Sequence, residues 1–425
     1  MEPITHKIAV FENIFVQITL AVVTLLVAKI IHWMYYVPSN WVKEINTVGY
    51  DLPSSNSNNY SATYKKDYIN RMRRFRKIGA SDLPPPFPNG WYCILESSAL
   101  GPGEVQSVSC LGEQFVVYRT KSHEVYVLDA YCPHMGVNMG IGGRVVGDNI
   151  ECPFHQWSFR GSDGKCVNIP YSSCVPDNSR VRKWMTKEVN DNIFIWYHSE
   201  EHNIPWELPV VEEIENKELV FLGRNEFYVN CHIQEIPENG ADMAHFAAIH
   251  NVNFLAGGIN ANKSNFAKTG THHWKATWTS SKSTAKHIAL ISLTHSLELI
   301  PKVHIFEMDV IGHQIGPSYV QLHLKSKTFG NIEILQTVTP IEPLVQKVVH
   351  RFYARRKIAP IMKLFVCAES IMFERDMVMW NHKIFRNKPH LVKEDSSIKA
   401  FRNWYSQFYS ENSKTFIDVR NNLGW

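Results

Sequence analysis

Cys132-Pro-His134 is followed, seventeen residues later, by Cys152-Pro-Phe-His155. The same Cys–His pair occurs twice at short spacing, so the chain has to fold two short loops that face one another. Gly136, Gly140, Gly142 and Gly143 lie between the pairs and suit tight loop turns. Two thiolates and two imidazoles fit a [2Fe–2S] cluster in which two Cys hold one iron and two His hold the other. Zinc is the competing cation, but it usually takes more regular pairs such as C-x₂₋₄-C and H-x₃₋₅-H.

A second constellation follows in Asn239-Gly-Ala-Asp242-Met-Ala-His245-Phe-Ala-Ala-Ile-His250. Two His and a carboxylate are the donors of a mononuclear non-haem Fe(II) site with open positions for O₂ and substrate. The segment reads as helix. Five residues separate His245 from His250, about 140° of rotation on a regular helix. A distorted or π-bulged turn is therefore expected there. Asp242 lies one turn before His245 and close to it. Alternatively, Asp242 is a helix cap and both histidines are structural.

The motif pair followed by N-x-x-D-x-x-H-x₄-H resembles the catalytic subunits of Rieske non-haem iron oxygenases. The resemblance implies a Rieske cluster on Cys132, His134, Cys152 and His155, and a mononuclear iron on His245 and His250. It implies that Asp242 bridges electrons toward a Rieske His of a neighbouring subunit. It also implies a third iron ligand on a late helix. The matching residue is Asp376 in Phe373-Glu-Arg-Asp-Met-Val-Met-Trp380, with Glu374 as competitor. Pro84-Pro-Pro-Phe-Pro-Asn-Gly-Trp-Tyr92 and the N-terminal apolar segment are similar to animal cholesterol 7-desaturases of the Neverland type. Phe401-Arg-Asn-Trp-Tyr-Ser-Gln-Phe-Tyr409 resembles the tail of bacterial 3-ketosteroid 9α-hydroxylases. The resemblance spans residues 80 to 410. Respiratory Rieske proteins carry an extra Cys in each loop. Val137 and Phe154 stand there instead, which removes the disulfide staple.

The fold class this implies is α+β: an N-terminal transmembrane helix, an antiparallel β domain for the cluster, and a helix-grip domain with an antiparallel sheet and C-terminal helix. The expected boundaries are 1–12 for a non-cytosolic tail, 13–37 for the anchor, and 38–90 for a basic linker. Residues 91–199 form the Rieske domain, 200–395 the catalytic domain and 396–425 a polar tail. Strand-like runs occur at 115–118, 125–128, 193–197, 271–279, 288–298, 303–311 and 318–326. Residues 342–382 read as helical. His272 and His273 adjoin in a strand, so they point to opposite faces, and His304, His313 and His323 read as sheet or pocket residues.

Residues 13–28 carry no charge and are rich in Val, Ile and Leu; Trp33, Tyr35 and Tyr36 follow as an interfacial belt. Lys29 can snorkel. Residues 38–77 hold eight Lys/Arg and three Asp/Glu, against one Lys and two Glu in the first twelve. The positive-inside rule places the bulk of the chain in the cytosol, with the endoplasmic reticulum as the expected membrane. Ser54–Tyr60 reads as a flexible loop, and Lys65 to Lys77 as a basic run beside anionic headgroups. Cys93, Cys110, Cys166, Cys174, Cys231 and Cys367 show no pairing pattern and read as free thiols. A net charge of +4 gives no reason to expect nucleic acid.

The function this implies is O₂- and NAD(P)H-dependent 7,8-desaturation of cholesterol to 7-dehydrocholesterol, for steroid hormone synthesis. Hydroxylation of a sterol or 3-ketosteroid is the alternative within the family. A membrane-anchored electron carrier is the alternative outside it. Neither GxGxxG nor a P-loop is present, so electrons would come from a separate reductase. The resemblance further implies a homotrimer.

Overall fold

The computed structural model describes residues 2–43, 83–200, 203–252, 257, 270–281, 285–300 and 303–422. Ser54–Tyr60 and the basic run at 65–77 lie outside them. Helix α1 (Glu2–Tyr36) is continuous. Within it Phe15–Tyr36 is long and apolar enough to cross a membrane. From Phe15 to Trp33 its side chains are exposed: Leu20 is 65% exposed and Leu25 64%. Helix geometry lets 22 residues extend about 33 Å, close to the ~30 Å of a hydrocarbon core.

The molecule is mixed α+β. Short antiparallel strands between Gly90 and Tyr197 build the first lobe. They include Glu113–Arg119, Val125–Asp129 and Asn192–Tyr197, each covering a run read as strand from sequence. The second lobe is one eight-stranded sheet: β1 (Ser39–Lys43), β2 (Val220–Val229), β3 (Thr271–Ser280), β4 (Ile288–Ile300), β5 (Val303–Ile315), β6 (Tyr319–Ser326), β7 (Gly330–Glu342) and β8 (Val345–Ala354). The order is β1-β2-β8-β7-β6-β5-β4-β3. Every pairing is antiparallel except β1 on β2. Helix α2 (Met243–Ile249) stands beside β3, and the long helix α3 (Ala359–His382) lies against β1, β2 and β8.

Two expectations change. Residues 342–382 are not all helix, because Val345–Ala354 is strand β8. All of β8 except Lys347 is buried, since Val348 and Phe352 pack with residues of α3 on one face and Tyr353 with Trp91 and Phe194 on the other, and a strand covered on both faces loses the polar alternation that marks it. The tail at 396–425 is not a separate polar end. Helix α4 (Ser396–Tyr405) packs on β3. Phe401, Trp404, Tyr405 and Phe408 join Trp278, Ala289 and Ile291 in one buried cluster.

The two lobes share a core. Tyr92, Phe115 and Trp184 of the first pack in one cluster with Phe227, Val348, Phe373 and Trp380 of the second. Arg351 of β8 pairs with Glu96 across the same boundary. The Cys–His loops and the eight-stranded sheet are thus held in fixed relation within one chain.

Phe401 is fully buried. Phe401→Ala should cost about 3–5 kcal/mol and lower the thermal midpoint seen by circular dichroism. An unchanged midpoint would show that the C-terminal segment is not part of the core.

Candidate functional site

The Cys–His loops are built alike. Cys132 N–H donates to Val137 O at 2.9 Å, and Gly136 N–H donates back to Cys132 O at 2.9 Å. Cys152 N–H donates to Trp157 O at 2.8 Å, and Gln156 N–H donates to Cys152 O at 3.0 Å. Each turn needs a left-handed residue four after its Cys: Gly136 has φ 72° and Gln156 φ 60°. Glycine adopts that region freely; glutamine pays a steric cost there. Gly143 is required for another reason. A Cβ there would lie 2.1 Å from Met139 O.

The loops bring their donors together. Cys132 and Cys152 are each 2% exposed. The His134 and His155 rings lie 4.6 Å apart, and Trp157 stacks on His134 at 4.7 Å. His134 Nδ1 is buried without a hydrogen-bond partner. Burial pushes the Cys132 thiol up to about 11, with neighbouring Cys152 adding to the rise. Such a thiol keeps its proton until a metal displaces it. Two buried sulfurs and an orphaned imidazole nitrogen fit a cluster with mixed ligands. All eight cysteines are free, and no disulfide braces the loops.

The second donor set converges from two helices. Ligand atoms of His245, His250 and Asp376 lie within 4.8 Å of one another. His245 sits in α2 and Asp376 in α3. No π-bulge is needed to bring the histidines together. The helix ends at Ile249 instead, and His250 is its C-cap at φ −106°, ψ 8°. Leaving the helical path turns His250 back, so the two rings meet edge to face at 5.3 Å.

Local contacts set each donor. The Asp242 carboxylate caps α2 by accepting from Ala244 N–H and His245 N–H. The Asp242 carbonyl accepts from His245 Nδ1, which leaves Nε2 as the free lone pair. Burial holds His245 below the usual histidine range, with Asp376 opposing. The neutral ring is the metal-binding form. His250 Nε2 lies 3.1 and 3.2 Å from the two Asp376 oxygens. His250 Nδ1 is buried and unpartnered. These donors suit a divalent cation. Glu374 faces elsewhere, pairing with Lys43 of β1 at 2.9 Å.

Three supporting residues escaped the sequence reading. Arg375 donates to the carbonyls of Ile249, Val252 and Gly257 at 2.7–3.2 Å, clamping the end of α2 to α3. Trp274 Nε1 donates to His250 O at 3.1 Å. His295 of β4 meets His272 of β3 at 2.7 Å. Their roles depend on strand register and helix contacts, for which no local motif exists. His272 and His273 do point apart: His273 pairs outward with Glu298 at 2.6 Å. His323 pairs with Glu333.

Paired Cys–His loops on a β lobe, beside a helix-covered sheet, are the parts of a Rieske-type oxygenase. Residues 90–182 match the Rieske [2Fe-2S] domain, and residues 195–409 match the 3-ketosteroid 9alpha-hydroxylase C-terminal domain. A cholesterol 7-desaturase of Drosophila melanogaster is 52% identical over 396 residues, 93% of this chain and 92% of that one. One from Xenopus laevis is 46% identical over 359 residues, 84% and 79% of the two chains. Dicamba monooxygenase shares the fold at TM-score 0.54 and 15% identity, covering 76% of this chain and 97% of its own. The chain therefore belongs to the cholesterol 7-desaturase family of Rieske oxygenases, and it is an oxidoreductase.

Cys132→Ser or His155→Ala should abolish the visible absorption of the cluster; retained absorption would remove them from the ligand set. Arg375→Met keeps the bulk of the side chain but loses the clamp. It should lower turnover about 10–100-fold, the usual cost of disturbing groups behind metal ligands, with cluster absorption intact. Wild-type turnover would show the clamp to be dispensable.

Proposed function

We propose that this protein desaturates cholesterol between C7 and C8, giving 7-dehydrocholesterol for steroid hormone synthesis. One observation carries the reading: identity of 52% to a cholesterol 7-desaturase extends across 93% of the chain, and the segment matched includes both donor sets. Cys132, His134, Cys152 and His155 would hold the [2Fe–2S] cluster; His245, His250 and Asp376 would hold a mononuclear iron. When bound, these groups supply one-electron transfer and O₂ activation.

The chain's own residues would do the rest. The Asp242 carbonyl fixes the His245 tautomer, and Trp274 and Arg375 hold the end of α2. Leu293, Val310, Leu324 and Ile332 form a cross-strand row on four adjacent strands, one step from the row of Trp274, His295 and Met308. The row is apolar, and its Val310, Leu324 and Ile332 pack under Met362 and Val366 of α3.

The Cys–His loops, which would hold the cluster, carry an apolar collar. Tyr131, Met135, Phe154 and Tyr171 are each more than half exposed around them. Near Asp242, α2 exposes the small residues Ala244, Ala247 and Ala248. The two surfaces suit a head-to-tail contact between copies, which cyclic symmetry closes into a trimer. Asp242 would then carry electrons between a cluster and the iron of the next subunit. Helix α1 would anchor the chain in the endoplasmic reticulum, with catalysis in the cytosol and electrons arriving from NAD(P)H through a separate reductase.

Sterols from cells fed cholesterol and expressing the wild-type chain or His245→Ala test the reading. A 7-dehydrocholesterol peak in wild type alone is expected. A hydroxysterol instead would favour the hydroxylase chemistry suggested by the C-terminal domain match. Equal product from both chains would overturn the iron assignment.

A further inference from the structure

The apolar helix is joined to the catalytic sheet with almost no linker. α1 ends at Tyr36, and β1 begins at Ser39. From Ser39↔Gly223 to Lys43↔Phe227, β1 pairs with β2. The approach is close enough that a Cβ at Gly223 would lie 3.1 Å from both Ser39 O and Val366 Cγ2. The end of α1 is also gripped by the turn at Arg356–Ile358 and by the first turns of α3 that follow it. Arg356 Nη1 donates to Tyr35 O at 3.0 Å, and its guanidinium lies 4.9 Å from the Tyr36 ring. Lys363 donates to Val37 O, and its ammonium lies 4.6 Å from the Trp33 ring. Tyr35 packs into the cluster of Leu222, Ala359 and Met362.

This places a surface. If Phe15–Tyr36 fills the hydrocarbon core, Tyr36 is at headgroup level, and so is whatever touches it. Arg355, Arg356 and Lys357 are all exposed there. No Asp or Glu occurs between Leu344 and Ala368. Just beyond, Ile361 is 43% exposed and Leu364 57%. They are three apart on α3 and share one face. An apolar face with basic residues at its start has the composition of an interfacial helix. Basic residues near an anionic leaflet each contribute about 1 kcal/mol.

We propose that the turn leading into α3 and the helix's first two turns, with Arg355, Lys357, Ile361 and Leu364, form a second lipid-contacting surface that seats the catalytic domain on an anionic leaflet. It rests on the reading of α1 as an anchor. The occupant is phospholipid: the surface continues the apolar face of α1, and its charge complements anionic headgroups. Seating fixes the orientation of the catalytic sheet above the bilayer, where a hydrophobic substrate is dissolved.

The test is amide hydrogen exchange of the full chain in phosphatidylcholine vesicles with and without phosphatidylserine. Wild-type residues 355–365 should exchange several-fold more slowly with phosphatidylserine. In R355E/K357E that difference should vanish, while cluster absorption and resistance to alkaline carbonate extraction persist. Equal exchange in both vesicles, or the same lipid effect in the variant, overturns the seat and leaves the anchor standing. Protection arising only on adding the reductase overturns it in favour of a protein partner. Release of wild-type chain by carbonate overturns the anchor reading, and the seat with it.

Discussion

Arg375 and Asp376 are neighbours on α3 and reach in different directions. Asp376 faces His250, while Arg375 holds the carbonyls of Ile249, Val252 and Gly257. The His-bearing helix has only seven residues, too few to hold itself in place. Its position is set at both ends: by the Asp242 cap at the start and the Arg375 clamp at the finish. The three donors can meet only while α3 keeps its place on the sheet. Val366, Phe373 and Met377 keep it there, packed on β2 and β8. The triangle of His245, His250 and Asp376 is thus a consequence of core packing.

The cluster loops follow a different logic. Each forms its own turn through backbone hydrogen bonds between residues at most five apart. Their geometry is local, and the shared core then fixes the lobe against the catalytic sheet. The Cys–His donor set is therefore assembled locally and the His–His–Asp donor set by tertiary contact. Tyr131, Met135, Phe154 and Tyr171 around these loops, and Ala244, Ala247 and Ala248 on α2, are exposed.

The same division decided what could be read in the sequence. Cys132, His134, Cys152 and His155 were legible because their spacing is their geometry. His245 and His250 are legible as candidate donors, but not the way they converge: no Gly or Pro marks the helix end at Ile249. Asp376 and Glu374 are two apart, so a helix points them in different directions. Which one faces the histidines depends on contacts with β1, where Lys43 takes Glu374. Strand β8 resembles helix in the sequence because burial on both faces removes its alternation. Trp274 and His295 depend on register across β3 and β4, and no local pattern announces them.

Iron content per chain, measured after reconstitution, bears most directly on the paired-centre account. Wild-type and Glu374→Gln chains should each hold about one iron beyond the cluster's pair, whereas Asp376→Ala should hold only the pair, with unchanged cluster absorption. A full complement in Asp376→Ala, or a lost iron in Glu374→Gln, would contradict the assignment of the donor triangle and the oxygenase reading built on it.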